Sequence, residues 1–226
     1  MLSGEEKNIV TTKVLQPIVI ATIIMLSALF FYIPYITDKS TMESVKRNSI
    51  DSVKQIKLTR EYYVQNIVDD IKIHAPNKIK FSYKHNGIDG VLPLPTTIIH
   101  DLSKVFSENT GIKYNLYSNF PFKNRENRVL TKFQKEALFH TNKNEDGIYI
   151  KRDEIEGKPV LRVAITDFMT QESCVKCHNN HPDRTWERGK WKLGDKRGII
   201  EVITPLEKEI ESHELLKYSI MTMILV

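Results

Sequence analysis

Lys158-Pro-Val-Leu-Arg-Val-Ala-Ile-Thr166 and Arg197-Gly-Ile-Ile-Glu-Val-Ile-Thr-Pro205 are the stretches on which the class of fold turns. Each reads as a long strand, and the second is the most apolar segment of its kind in the chain. Working back toward the N-terminus, Gly147-Ile-Tyr-Ile150 is a short strand. Lys113 to Ser118 alternates, with Tyr114 and Leu116 on one side, and Ile79-Lys-Phe-Ser-Tyr83 alternates again. Between them lie turn chemistry at His85-Asn-Gly-Ile-Asp-Gly90 and an extended Leu92-Pro-Leu-Pro-Thr96. A helix over Ile98–Phe106 with Thr96 or Thr97 as its cap follows, then a polar loop from Pro121 to Arg128 and a short helix over Thr131–His140. Thr41 to Lys72 has neither Gly nor Pro. Ile56, Tyr63, Ile67 and Ile71 fall near helical spacing there, so it reads as one long helix, ended by Pro76-Asn77.

Val14 to Thr37 has no charged residue over 24 residues. A bilayer core of about 30 Å takes roughly 20 helical residues. Pro17 falls in the first turn, and Tyr32 and Tyr35 lie near the far end, where interfacial aromatics are favoured. A cleaved signal peptide has an apolar region of about 7–15 residues and a small-residue site. This run is longer, and Phe30-Phe31-Tyr32-Ile33-Pro34-Tyr35 is the wrong chemistry for cleavage. Near the other end, Leu215-Leu216-Lys217-Tyr218 leads into a second apolar run. The expected organisation is a cytoplasmic segment at 1–13, a transmembrane helix at 14–37, an extracytoplasmic domain at 38–214, and the start of a second transmembrane helix at 215–226. The last strand runs into Glu207-Lys-Glu-Ile-Glu-Ser-His213, so both ends of the domain are expected to face the membrane. The fold class is α+β, with about five strands in a PAS-like or single-Cache-like antiparallel sheet, a long N-terminal helix and a preceding transmembrane helix.

The formal net charge is +5, with 33 Lys+Arg against 28 Asp+Glu mixed along the chain. No long basic run stands out, so a nucleic-acid surface is not indicated. No catalytic triad or acid–base pair stands out either, and an enzyme is not expected. The 2 cysteines, Cys174 and Cys177, sit in one motif, Cys174-Val-Lys-Cys177-His178, inside the insertion Asp167 to Lys196.

Two thiols three residues apart suit addition to the two vinyl groups of one porphyrin, and an imidazole directly after the second Cys reaches the iron on the same face. Cys174 and Cys177 are therefore the candidates for covalent attachment of one haem c, and His178 for the proximal iron ligand. Such attachment takes place outside the cytoplasm, in agreement with the anchor. Two other chemistries compete. Cys174, Cys177, His178 and His181 would make a cramped zinc site, because zinc usually draws its second ligand pair from a distant segment. A dithiol switch usually opens a helix beside a strand in a thioredoxin-like unit, and no such unit is evident. Lys176, Arg184, Arg188, Lys190, Lys192, Lys196 and Arg197 make the insertion basic and suit two propionates, although Asp183, Glu187 and Asp195 balance them. Trp186 and Trp191 suit cover for a porphyrin face or plain packing.

Several segments together resemble the periplasmic c-type-haem sensor domains with a PAS-like fold. They are Arg60-Glu-Tyr-Tyr-Val-Gln-Asn-Ile-Val68, Leu92-Pro-Leu-Pro-Thr96 with Ile99-His-Asp-Leu-Ser103, and Tyr117-Ser-Asn-Phe-Pro-Phe122 with Asn124-Arg125. Pro159-Val-Leu-Arg162, Ser173-Cys-Val-Lys-Cys-His-Asn-Asn-His-Pro182 and Arg197-Gly-Ile-Ile-Glu-Val202 complete the match. The resemblance implies a haem iron bound by His178 and a sensor at the N-terminus of a transmembrane signalling receptor. Some members place a cysteine as sixth ligand. This chain has no third cysteine, which leaves His100 as first candidate, then His85 and His181, then Met169.

Two functions follow. One is a receptor in the inner membrane with its main domain in the periplasm, sensing redox state or a diatomic gas. The other is a membrane-anchored monohaem cytochrome that carries electrons. The partners expected are the membrane, a second copy in a homodimer, and a diatomic gas or a redox partner.

Overall fold

The computed structural model describes residues 11–187 and 189–225, so most of the expected cytoplasmic segment, together with Arg188 and Val226, lies outside the described residues. The chain divides into two units, one made of residues 1–44 and 207–226, the other of Val45–Leu206.

The first unit is helical. A short π-helical turn, Thr11–Leu15, leads into α1, Gln16–Tyr63. One helix, Lys13–His74, is long and apolar enough to cross a membrane, with a mean hydropathy of 2.3 in its apolar window and none of that window buried. Pro34 lies inside α1, and its carbonyl oxygen is 2.9 Å from Nε2 of His213. His213 belongs to the last helix, which contains the second apolar run and spans Glu207–Leu225.

The second unit begins on the remainder of α1. The predicted long helix is there, with two differences. Val64–Val68 is π-helical, and the last turns, α2 (Asp69–His74), stop two residues before Pro76. The apolar stripe is shifted from the one the spacing gave: Ile56 is buried, but Tyr63, Ile67 and Ile71 are only half-buried, and Val45, Val53, Val64 and Val68 fill the buried face with Ile56.

That stripe lies on an antiparallel sheet of four strands in the order β3-β6-β5-β4. These are β3 (Lys113–Tyr117), β4 (Ile148–Ile155), β5 (Lys158–Phe168) and β6 (Lys196–Pro205). Ser49 bonds Thr204 at 2.9 Å, Ser52 bonds the Tyr114 hydroxyl, and Lys57 donates to the Thr166 carbonyl at 3.1 Å. The opposite face is covered by the helix Lys132–Lys143, whose Phe133 and Ala137 pack on Tyr117, Ala164 and Ile199. Burial on both faces explains why β5 and β6 read as nearly continuous apolar runs rather than alternating ones. It also makes Glu201 a buried carboxylate, held by Arg162 at 2.7 Å and by Gln134 and Asn115 at 3.3 Å.

Two expectations change. The extended Leu92-Pro-Leu-Pro stretch is itself a strand: β2 (Val91–Pro93) pairs in parallel with β1 (Lys80–Ser82), so there are six strands among the described residues. Neither Thr96 nor Thr97 caps the following helix. It starts earlier, at Pro95, and α3 spans Pro95–Thr110, because Pro is suited to a first helical turn. Gly111 closes α3 at φ 76°, the left-handed geometry of a helix C-terminus.

Candidate functional site

The insertion between β5 and β6 contains a helix, α5 (Glu172–Asn180), following the helix α4 at Lys132–Lys143; α6 is Glu207–Leu225. The sequence indicated an insertion here and not a helix, because its polar, Cys-rich stretch has only a weak apolar stripe. In helical conformation Cys174, Cys177 and His178 stand three and four residues apart and share one face. Asn179, next to that face, clamps the far side of the insertion: its Oδ1 accepts from the Trp191 backbone N–H at 2.7 Å and its Nδ2 donates to the Trp191 carbonyl at 3.0 Å.

Cys174, Cys177 and His178 line one wall of a cavity of about 540 Å³. That volume lies within the roughly 300–1,000 Å³ of small-molecule and cofactor sites. The end of the long helix contributes Arg60, Val64, Val68 and Lys72, α3 contributes His100, and the loop after β3 contributes Phe120, Phe122, Arg125 and Arg128. Of the four residues suggested for the distal side, His100 and His181 line the cavity. His85 lies outside it, with Nε2 3.2 Å from Asp101, and Met169 is 1% exposed in the core. Trp191 lines the cavity with its ring centroid 6.3 Å from that of His178, whereas Trp186 packs behind, on Phe122 at 5.0 Å.

The electrostatics separate the two walls. Burial pushes His178 down to about 3, with Arg197 adding to the effect. Burial pushes His100 down to about 4, and its charged neighbours are different ones, Arg125 and Arg128. Both imidazoles are thus neutral near pH 7, with lone pairs available. Among the described residues, Nε2 of His100 is buried without a hydrogen-bond partner, and the His178 ring packs on Phe122 at 5.1 Å and on Trp191. Burial also raises the Cys177 thiol. Among the described residues, no three His, Cys, Asp or Glu side chains gather closely enough to hold a metal ion, so Cys174, Cys177, His178 and His181 do not form a four-ligand set.

Behind the Cys174 wall, Asp167 at the end of β5 receives Arg60 from the long helix and Arg197 from β6. Burial alone would raise this carboxyl, yet Arg197 and Arg60 together hold it far below the usual range. Of the basic residues expected from the insertion, Arg197 lines the cavity, while Lys176, Arg184, Lys190, Lys192 and Lys196 do not. Arg125 and Arg128 stand there instead. The sequence placed them in a polar loop, and nothing in their spacing said which way the loop folds.

Comparison with known proteins gives a family and one structural likeness. The crystal structure of the cyanobacterial heme-protein Tll0287 aligns with 72% of this chain and 95% of that chain, at 15% identity and a TM-score of 0.44. No curated protein sequence matches the chain. The family model described as Tll0287-like matches residues 38–205, well over half of the sequence. The chain belongs to the Tll0287-like family.

Proposed function

We propose that this chain binds one haem c in the cavity between α5 and α3, and that it is the periplasmic sensor part of an inner-membrane receptor, not an enzyme. Cys174 and Cys177 would hold the porphyrin as thioethers, and His178 would ligate the iron. The observation that carries the reading is the shared face of Cys174, Cys177 and His178 on the wall of a cavity that His100, with its unpartnered Nε2, also lines. Membership of a family with a haem protein among its relatives supports the cofactor. The residues present fit a porphyrin: two thiols and an imidazole on one helix face, apolar and aromatic walls, and cationic side chains at the margin. When bound, the iron supplies a one-electron couple and an axial position that a small ligand can take.

What the chain supplies is orientation and exclusion of water. Phe122 and Trp191 pack on the His178 ring and fix its plane. Arg60 and Arg197, joined through Asp167, place two cations and one carboxylate beside the motif, which favours the reduced iron. The same Arg60–Asp167 pair joins the long helix to the strand end from which the motif insertion starts. A PAS-like sheet with that helix on one face suits a receptor, because a displacement of α5 would be passed to the helix through the Arg60–Asp167 pair. A coupling of about 1–3 kcal/mol suffices for a switch of that kind.

The test is expression with an exported haem-attachment system, followed by optical spectra of the oxidised and reduced protein, with and without CO and NO. A Soret band that stays with the polypeptide under denaturing conditions is expected, with loss of haem complete or nearly so in Cys177→Ala. An exported protein without a Soret band would sink the proposal.

A further inference from the structure

We infer that Arg125 and Arg128 form the anion-holding end of this cavity and take the propionate carboxylates of the porphyrin. The inference rests on the haem reading above and assigns a role that the basic insertion was expected to fill.

The cavity's other arginines are already engaged. Arg60 and Arg197 both donate to Asp167, at 2.6 to 2.9 Å. Lys196 reaches away, to the Thr141 carbonyl at 3.2 Å. The guanidinium of Arg125, by contrast, has no hydrogen bond or ion pair among the described residues. Arg128 spends one N–H on the Leu116 carbonyl at 2.7 Å and rests 5.8 Å from the centre of the Tyr117 ring, which fixes its plane and leaves further N–H groups to give.

The two guanidiniums are close enough to feel each other's charge, and no carboxylate is among the groups that act on Arg125. Burial and Arg128 both lower the pKa of Arg125, and the pair helps to keep His100 neutral. An anion relieves that repulsion, and a carboxylate matches the N–H fork of each guanidinium. The loop is also built to keep its place beside the motif. Its backbone is bonded to the insertion, Lys123 N–H to the Asp183 carbonyl at 3.0 Å, and a single turn joins Phe122 to Arg125 at 2.8 Å. Phe122 touches the His178 ring, so the segment that contacts the proximal imidazole also carries the cations. The carboxylate-bearing edge of the porphyrin therefore faces the loop after β3.

The experiment compares holoprotein of the natural chain with Arg125→Gln, Arg128→Gln, Arg125→Lys and, as a control, Lys190→Gln with Lys192→Gln. Resonance Raman spectra of the propionate bending modes and the midpoint potential by spectroelectrochemistry are the readouts. Either Arg→Gln change is expected to shift the propionate modes and lower the midpoint potential while haem stays covalently attached. Arg125→Lys should restore most of the potential, and the control should match the natural chain. Unchanged modes and potential in both Arg→Gln variants, or a shift confined to the Lys190/Lys192 control, overturns the assignment alone. Arg125 lies on an exposed loop, so its variants are expected to fold even if Arg128→Gln does not. A natural chain without attached haem overturns the haem reading and this inference together.

Discussion

The guanidinium of Arg60 and the carboxylate of Asp167 meet edge to edge in the interior, Nη1 2.9 Å from Oδ2 and Nη2 2.6 Å from Oδ1. Both side chains are at most 5% exposed, and Arg197 adds a third bond to Oδ2 at 2.6 Å. The cluster ties three elements together, the long helix, the end of β5 and the start of β6.

Asp167→Asn leaves two buried guanidiniums without their counter-charge and is expected to cost about 3–5 kcal/mol in chemical denaturation at pH 7. The pH dependence has a definite sign. The folded-state carboxyl titrates well below the ordinary value of about 3.9. Its contribution is thus complete above about pH 4 and is lost as pH falls through the lower, folded-state value. The gap in stability between the natural chain and Asp167→Asn should narrow as the pH is lowered below about 4, and should stay constant from there up to neutrality. A gap that is the same at every pH would show that the Asp167 carboxyl titrates alike in the folded and the unfolded chain, and that Arg60 and Arg197 do not depress it.

Gly198 sits where β6 passes β3. A Cβ there would lie 2.6 Å from the Tyr117 carbonyl oxygen and 3.1 Å from the Ser118 Cβ. The first obstacle is backbone and cannot rotate away, so Gly198→Ala must part the two strands locally. A loss of about 1–3 kcal/mol is expected. Hydrogen exchange should quicken at Tyr117 and Ile199, which pair across this point. A variant as stable as the natural chain would show that the strands separate without cost.

Thr131 accepts from the Gln134 backbone N–H at 3.3 Å, and the Gln134 side chain accepts from the Thr131 N–H at 3.2 Å. Thr131→Ala removes this cap from α4, whose Phe133 and Ala137 seal one face of the sheet. A loss of about 1 kcal/mol by denaturant titration is expected.

The sheet and the long helix were legible because burial writes periodicity into a sequence. Val160 to Ala164 and Ile199 to Ile203 are buried almost without interruption, and a helix with Val53 and Ile56 on one face has only one way to lie on them. The grouping of Cys174, Cys177 and His178 was legible because they are neighbours in sequence, and α5 puts them on one face. The rest of the cavity was not. From the sequence, His100 is only one of several distal candidates, and Arg125 and Arg128 have no role assigned, because they come from a helix and a loop far from Cys174 along the chain; the pairing of β3 with β6 and the bonds between the loop and the insertion bring their segment toward the motif. Of the described basic residues of the insertion, Arg197 lines the cavity and the others do not, because a count of lysines and arginines does not say which side of a loop faces solvent. The π-helical turn at Val64–Val68 leaves no mark on composition, since its residues suit an α-helix equally well.

That placement makes the identity of the distal ligand decidable by substitution. His100 is the candidate whose ring nitrogen is buried, unpartnered and on the cavity wall, and it is neutral above about pH 4. His181 also lines the cavity, but its Nδ1 accepts from the Asp183 N–H at 3.1 Å and its ring lies against Phe122 near the proximal side. If His100 holds the sixth position, His100→Ala should convert a six-coordinate low-spin spectrum into a five-coordinate or water-bound high-spin one and speed CO binding at least tenfold, an expectation set by about 1.4 kcal/mol or more of lost ligand competition. His85→Ala and Met169→Leu should leave the spectrum as it was, since neither side chain lines the cavity. Two results would count against His100: an unchanged spectrum in His100→Ala, or the spin change appearing in His181→Ala instead. A natural chain that is already five-coordinate and binds CO without competition would mean that the Nε2 of His100 does not ligate the iron and is free to donate or accept a hydrogen bond with a bound gas, which would favour a response to that gas over one to potential.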